Sequence, residues 1–115
     1  MSPSSCGKVE TERLLRCLLN LTRTEYRVLT ALMKQEMDAK SLAALLDLDR
    51  STVQKALMSL VERGLVRRRK VGLPRGGYKF LYRSLSPEEM KSLLNDAIRR
   101  WCESLSRELS VKIIF

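Results

Sequence analysis

The stretch Asp49-Arg-Ser-Thr-Val-Gln-Lys-Ala-Leu-Met-Ser-Leu-Val-Glu-Arg-Gly64 reads as one helix with both of its ends marked. Asp49 is a good N-cap residue, because its carboxylate can accept from an orphan amide of the first turn. Gly64 can adopt the left-handed conformation that stops a helix. Val53, Ala56, Leu57, Leu60 and Val61 recur on one face, which makes that face the buried one. The opposite face holds Ser51, Lys55, Met58 and Glu62, flanked by Thr52, Gln54 and Ser59. Just upstream, Ala39-Lys-Ser-Leu-Ala-Ala-Leu-Leu46 predicts a short helix that buries Leu42, Leu45 and Leu46, and Asp47-Leu-Asp49 separates the two. Two short helices joined by a tight turn, the second opening on small polar residues, have the layout of a helix-turn-helix.

Upstream of this pair, Leu14, Leu15, Leu18 and Leu19 recur at helical spacing and predict a helix over about Val9 to Leu21. Thr22-Arg-Thr-Glu25 matches a capping box, so a second helix starts near Arg23 with Tyr26, Leu29, Leu32 and Met33 as its inward stripe. Downstream, Leu65 to Leu73 and Tyr78 to Leu85 are rich in β-branched, aromatic and basic residues, and Pro74-Arg-Gly-Gly77 between them is a turn signal. A β-hairpin is expected. Ser86-Pro-Glu-Glu89 is a second capping box, with Pro at the first helical position, and opens a helix to about Leu109, roughly 35 Å long at about 1.5 Å per residue.

The fold class expected is mainly α (α+β), a winged helix-turn-helix with a two-stranded wing and a long C-terminal dimerisation helix. Residues 1–8, rich in Ser, are expected to be disordered; residues 9–85 form the DNA-binding domain; and residues 86–115 form the dimerisation helix and its tail. Met90, Leu94, Ala97, Trp101 and Leu105 make a stripe too wide for packing on a small domain alone. Leu94, Ala97, Ile98, Trp101 and Leu105 are therefore the expected dimer interface. The apolar tail Val111-Lys-Ile-Ile-Phe115 is placed on the same surface or on a second subunit.

Charge points to the partner. The chain has 22 Lys and Arg against 13 Asp and Glu, and Arg50 to Arg83 holds ten of those cations with the single acid Glu62. The remainder is balanced, with twelve of each sign, so the whole net charge of +9 lies in that window. A positive field confined to one helix and one hairpin attracts a polyanion and leaves the other faces for self-association. Double-stranded DNA is the partner expected.

Other classes lose ground. The absence of His removes the commonest general base and transition-metal ligand, and no other nucleophile-and-base constellation replaces it, so an enzyme is not expected. No cofactor or metal is expected. Cys6, Cys17 and Cys102 are too widely separated for a C-x-x-C site and read as free thiols, with Cys17 and Cys102 as small buried hydrophobes. The Ser-rich start lacks the apolar run of a signal peptide, and no stretch is long and apolar enough for a membrane span. A cytoplasmic protein without membrane contact follows.

The candidate site spans two elements. On the second helix of the pair, Gln54 can bond an adenine edge bidentately, Arg50 and Lys55 can reach guanine or phosphate, and Ser51 and Thr52 can serve bases or backbone. On the wing, Arg67, Arg69, Lys70, Arg75 and Lys79 supply cations. Strand alternation sends Arg67 and Arg69 to one face and Arg68 and Lys70 to the other. Arg75, flanked by Pro74 and Gly76, is read either as a residue that enters a narrow minor groove or as the solvent-exposed corner of an ordinary turn.

Leu21-Thr-Arg-Thr-Glu-Tyr-Arg-Val-Leu-Thr-Ala-Leu32, Leu42-Ala-Ala-Leu-Leu-Asp-Leu-Asp-Arg-Ser-Thr-Val53 and Leu60-Val-Glu-Arg-Gly-Leu-Val66 together resemble the winged-helix regulators of the MarR and TrmB groups. Lys79 to Tyr82 and the long helix after them are most similar to small basic archaeal members related to TrmB. The resemblance runs from about Leu14 to Leu105. It implies a homodimer on a roughly palindromic operator, with Ser51, Thr52, Gln54 and Lys55 in the major groove and Arg75 on the wing. The sugar-binding domain of larger TrmB proteins has no counterpart here, which leaves a small-molecule effector unassigned. Two rival readings stay open: a chromatin-like architectural DNA-binding protein, and a winged-helix protein-interaction module docking through the Trp101 stripe.

Overall fold

The computed structural model describes residues 6–112 of the chain, with side chains from Thr11 onward. Its elements are α1 (Cys6–Leu18), α2 (Arg23–Lys34), α3 (Ala39–Leu46), α4 (Arg50–Glu62), β1 (Val66–Gly72), β2 (Tyr78–Ser84) and α5 (Pro87–Leu109). This is the winged helix-turn-helix order expected from the sequence. The contacts gather residues 22–86 into one compact unit and, among the described residues, 6–21 with 87–112 into another.

In the first unit α2, α3 and α4 enclose a core in which Val28, Leu42, Val53, Leu57 and Leu60 are fully buried. Helix α4 is the hub, packing against α2, α3 and β1. The capping box at the start of α2 is complete: the Thr22 amide donates to Glu25 Oε1 at 2.8 Å and the Glu25 amide donates to Thr22 Oγ1 at 3.1 Å. Glu25 is itself buried. Burial works against its ionisation, but hydrogen bonds from Ser59 and Thr22 and the nearby charge of Arg63 hold its carboxyl below the usual glutamate value. One acid thus caps α2 and ties it to α4.

Three local expectations are corrected. Asp49 stands at the N-cap of α4 but its side chain makes no capping bond, whereas Asp38, unremarked in the sequence, caps α3 by accepting from the Ser41 amide at 2.7 Å. Leu45 is exposed, because α3 has only two turns and Leu45 lies on the far side of Leu42 from the inward Ala39 and Leu46. Met33 is exposed at the end of α2, one position past the buried Leu32. Gly64 does end α4, with φ of 76°, and the Leu65 amide returns to the Leu60 carbonyl at 2.9 Å.

The wing is an antiparallel pair in the register Val66↔Ser84, Arg68↔Tyr82, Lys70↔Phe80 and Gly72↔Tyr78. Met37, between α2 and α3, adds a bridge to Tyr82 on the other edge of β2 through bonds of 3.0 and 2.8 Å. The hairpin closes through Leu73 to Gly77, with the Gly76 amide donating to the Leu73 carbonyl at 3.1 Å. Gly76 and Gly77 both have positive φ, 92° and 78°, a conformation that favours glycine.

In the second unit α1 packs on α5. Helix α1 begins at Cys6, earlier than the Val9 expected, and ends at Leu18, with Asn20 left-handed and the Leu21 amide donating to the Arg16 carbonyl at 2.8 Å. The expectation of disorder in residues 1–8 falls outside the described residues as far as residue 5, and the tail expectation for residues 113–115 lies outside them altogether. Cys102 is buried, but Cys17 is exposed: it sits across α1 from Leu15 and Leu19, not within their stripe. On α5, Met90, Ala97 and Cys102 are buried and Leu94, Ile98 and Leu105 half-buried, while Trp101 is 46% exposed. Among the described residues no helix is long and apolar enough to cross a membrane.

Candidate nucleic-acid interface

The buried face of α4 determines what it shows to solvent. With Val53, Ala56, Leu57 and Leu60 turned inward, Arg50, Ser51, Lys55 and Met58 are exposed and Thr52 and Gln54 are half-exposed. All five helix residues singled out from the sequence therefore lie on the accessible first turn and a half of α4. Thr52 and Lys55 also share a groove of about 270 Å³ with Thr22 and Thr24 from the start of α2. The two threonines of α2 were not anticipated, and only the fold brings them beside α4.

The wing has two unlike faces, because cross-strand partners share a side. On one, β1 cations meet β2 aromatics: the Arg68 guanidinium lies 4.5 Å from the centre of the Phe80 ring, and Lys70 Nζ lies 3.9 Å from that of Tyr78. The rings themselves form a ladder, Tyr78 to Phe80 at 5.5 Å edge-on and Phe80 to Tyr82 at 6.5 Å. The other face carries Arg67, Arg69, Lys79 and Arg83, and two acids from the α2–α3 connection address it. Arg69 donates through Nε and Nη2 to both oxygens of Glu36, at 3.0 and 2.9 Å, and Lys79 donates to Asp38 at 3.2 Å.

These pairs show in the ionisation of their members. The hydrogen bond from Arg69, then its charge and that of Arg83, hold Glu36 below the usual glutamate value, and the same bond raises Arg69. Asp38 is drawn down from 3.8 to about 2, first by its bonds to Ser41 and then by Lys79. Of the expected wing cations, Arg69 and Lys79 thus carry an internal counter-ion, Lys70 lies over an aromatic ring, Arg67 shares the face of Arg69, and Arg75 stands exposed at the tip. Sequence pattern gave no warning of Glu36 and Asp38, which are 33 and 41 residues from their partners.

A depressed folded-state pKa means that the stability Asp38 contributes is present above about pH 4 and is lost as pH falls towards 2. Asp38→Asn, which keeps a good capping residue but no charge, is expected to cost about 1–2 kcal/mol at pH 7. The difference from the parent should shrink as pH falls through about 2 and vanish below it. Urea unfolding of both proteins across that range checks this, and a gap that does not shrink contradicts it.

Between the wing and α4 lies a cleft of about 340 Å³ whose lining includes Lys40, Arg50, Gln54, Tyr78, Lys79 and Phe80. Cations, an amide and aromatic rings converge here from three elements. Among the described residues no group of three or more His, Cys, Asp or Glu side chains is placed to hold a metal ion.

A helix pair whose second member exposes short donors and cations, followed by a basic hairpin alongside it, defines a winged helix-turn-helix protein of the transcription-regulator class. The description "Sugar-specific transcriptional regulator TrmB" matches residues 15–88, and the chain belongs to that family. The protein MJ1082 of Methanocaldococcus jannaschii, described as uncharacterized, is 35% identical over 90% of this chain and 86% of its own length. A "possible transcriptional regulator" from Methanosarcina mazei Go1 superposes with a TM-score of 0.77 at 28% identity, covering 87% of this chain and 86% of that one. The ST1889 protein of the archaeon Sulfolobus tokodaii superposes with a TM-score of 0.65, also at 28% identity, over 82% of this chain and 94% of its own. The family is one of transcriptional regulators, and the Methanosarcina mazei neighbour is described as a possible one.

Proposed function

We infer that the chain is a sequence-specific double-stranded DNA-binding regulator, acting in the cytoplasm as a homodimer on a pseudo-palindromic operator. The observation that carries this reading is the coincidence of charge with fold: the net +9 lies on residues 50–83, which are α4 and the wing. In the proposed complex the first turns of α4 enter the major groove, with Gln54 reading a base edge and Arg50 and Lys55 on guanine or phosphate. Arg75 reaches the neighbouring minor groove from the wing tip.

Dimerisation rests on α5. At about 100° per residue, Trp101 falls in the middle of the stripe formed by Met90, Leu94, Ala97 and Leu105, yet it remains 46% exposed. A second copy covering that stripe would bury it. The partnered dimer then presents two copies of α4 to successive major grooves, about 34 Å apart.

Lys55→Ala and Arg75→Ala are each expected to weaken operator binding by roughly tenfold and to lower the salt slope by about 1, since each removes a cation from the phosphate field. Both residues are exposed, so thermal stability should not change. Anisotropy titrations against operator and scrambled duplex at two salt concentrations provide the test. Equal affinity for both duplexes would replace sequence-specific regulation by the architectural role, and absence of binding to either would leave protein docking.

A further inference from the structure

We propose that the cleft between the wing and α4 is a second nucleic-acid site, one that stacks an unpaired nucleobase on Tyr78 and holds its phosphate on the cations beside it. The inference rests on the reading above that this face of the protein meets DNA. A base inside an intact duplex shows only its edges to a protein, so a surface that offers ring faces is addressed to a base outside the stack.

Tyr78 is built for exposure in a way the other rings of the ladder are not. Tyr82, at the inner end of β2, is buried, Phe80 is half-buried, and Tyr78, at the outer end, is 54% exposed. Each inner ring has a large side chain opposite it in the register, Arg68 across from Tyr82 and Lys70 across from Phe80. Opposite Tyr78 stands Gly72, and a Cβ placed there would meet nothing within 4 Å. Lys70 reaches one face of the Tyr78 ring from the diagonal position, and the position directly opposite is left without a side chain.

The surroundings match a nucleotide. Lys70 Nζ, 3.9 Å from the Tyr78 ring centre, makes that ring a cation-backed stacking surface. Arg50 and Lys40 supply positive charge for a phosphate, Lys79 being paired with Asp38 in the same lining, and Gln54 offers both a donor and an acceptor to a base edge. Nucleobase stacking on an aromatic ring contributes enough per base to survive without sequence preference, because every base has a π-face. Function follows: a regulator with such a site holds DNA that is locally opened as well as DNA that is closed.

The test uses the full chain and three fluorescent probes: a short oligothymidylate, thymidine monophosphate, and a blunt duplex. Oligothymidylate binding is expected to fall about tenfold in Tyr78→Ala, to be retained in Tyr78→Phe, and to fall again in Gly72→Leu, where a side chain fills the vacant position. Duplex affinity should change by less than about twofold in all three, since none removes a charge. Thermal melts of the variants establish that they are folded. If the mononucleotide binds with the same dependence on Tyr78, the site takes free nucleotide; if only the oligomer does, the strand is required. Oligothymidylate binding that ignores Tyr78→Ala, or that is absent while duplex binds, overturns the site and leaves the regulator reading intact. Loss of duplex binding by the parent protein overturns that reading instead.

Discussion

Trp101→Ala is expected to convert the proposed dimer into a monomer and to weaken binding to a two-half-site operator by roughly 100-fold, although Trp101 touches no DNA in the proposed complex. The size of the effect comes from valency. Two linked α4 helices bind the second half-site as an intramolecular event, and separating the subunits removes that advantage entirely. Trp101 is the choice because it is both the largest side chain of the α5 stripe and 46% exposed in the single chain. Aromatic residues of that kind carry a disproportionate share of interface energy. Leu14, Leu109 and Val111, exposed in the same unit, enlarge the apolar surface available to a partner. Sedimentation velocity reads the oligomeric state and anisotropy the affinity. An unchanged sedimentation coefficient rejects the assignment of this seam, and binding to an isolated half-site should be the same in the variant and its parent.

Leu57→Ala is expected to cost about 3 kcal/mol and to lower Tm by roughly 15 °C. Leu57 is fully buried on α4, the helix against which α2, α3 and β1 all pack, so the cavity left by its side chain is bounded by elements that cannot all close on it. Met58→Ala supplies the comparison. Its neighbour in sequence is 52% exposed, and truncation there should stay within about 0.5 kcal/mol of the parent. A thermal melt of the two variants separates them, and equal melting temperatures would mean that α4 is oriented differently about its axis. Because that orientation is also what turns Gln54 and Lys55 outward, the pair of variants tests the interface as much as the core.

Where a residue type has only one cheap way to act, the sequence was a good guide. Thr22 and Glu25 at capping-box spacing, Gly64 after an amphipathic run, and two glycines after Pro74-Arg75 each announce local geometry, and α2, α4 and the hairpin follow from them. The exposed residues of α4 were legible for the same reason, as the complement of an apolar stripe. What failed to show in advance depends on approach through space. Each helix of the pair has an aspartate at its N-cap, yet Asp38 bonds the Ser41 amide at the start of α3 while Asp49 makes no such bond at the start of α4. Leu45 and Met33 sit at helix ends, where periodicity no longer says which edge of a stripe the core reaches. The charge run of the wing looked uniform as text, yet pairing divides it into a face met by Glu36 and Asp38 and a face met by tyrosine and phenylalanine.

The pairing of α1 with α5 has a consequence for the order of events on the ribosome. Residues 22–86 are a compact unit of consecutive chain, whereas α1 precedes them and finds its partner α5 only after residues beyond Pro87 have been made. The proposed DNA-reading unit is therefore made before the α1–α5 unit has both of its helices. In the proposed homodimer, pairing through α5 would then follow the folding of residues 22–86.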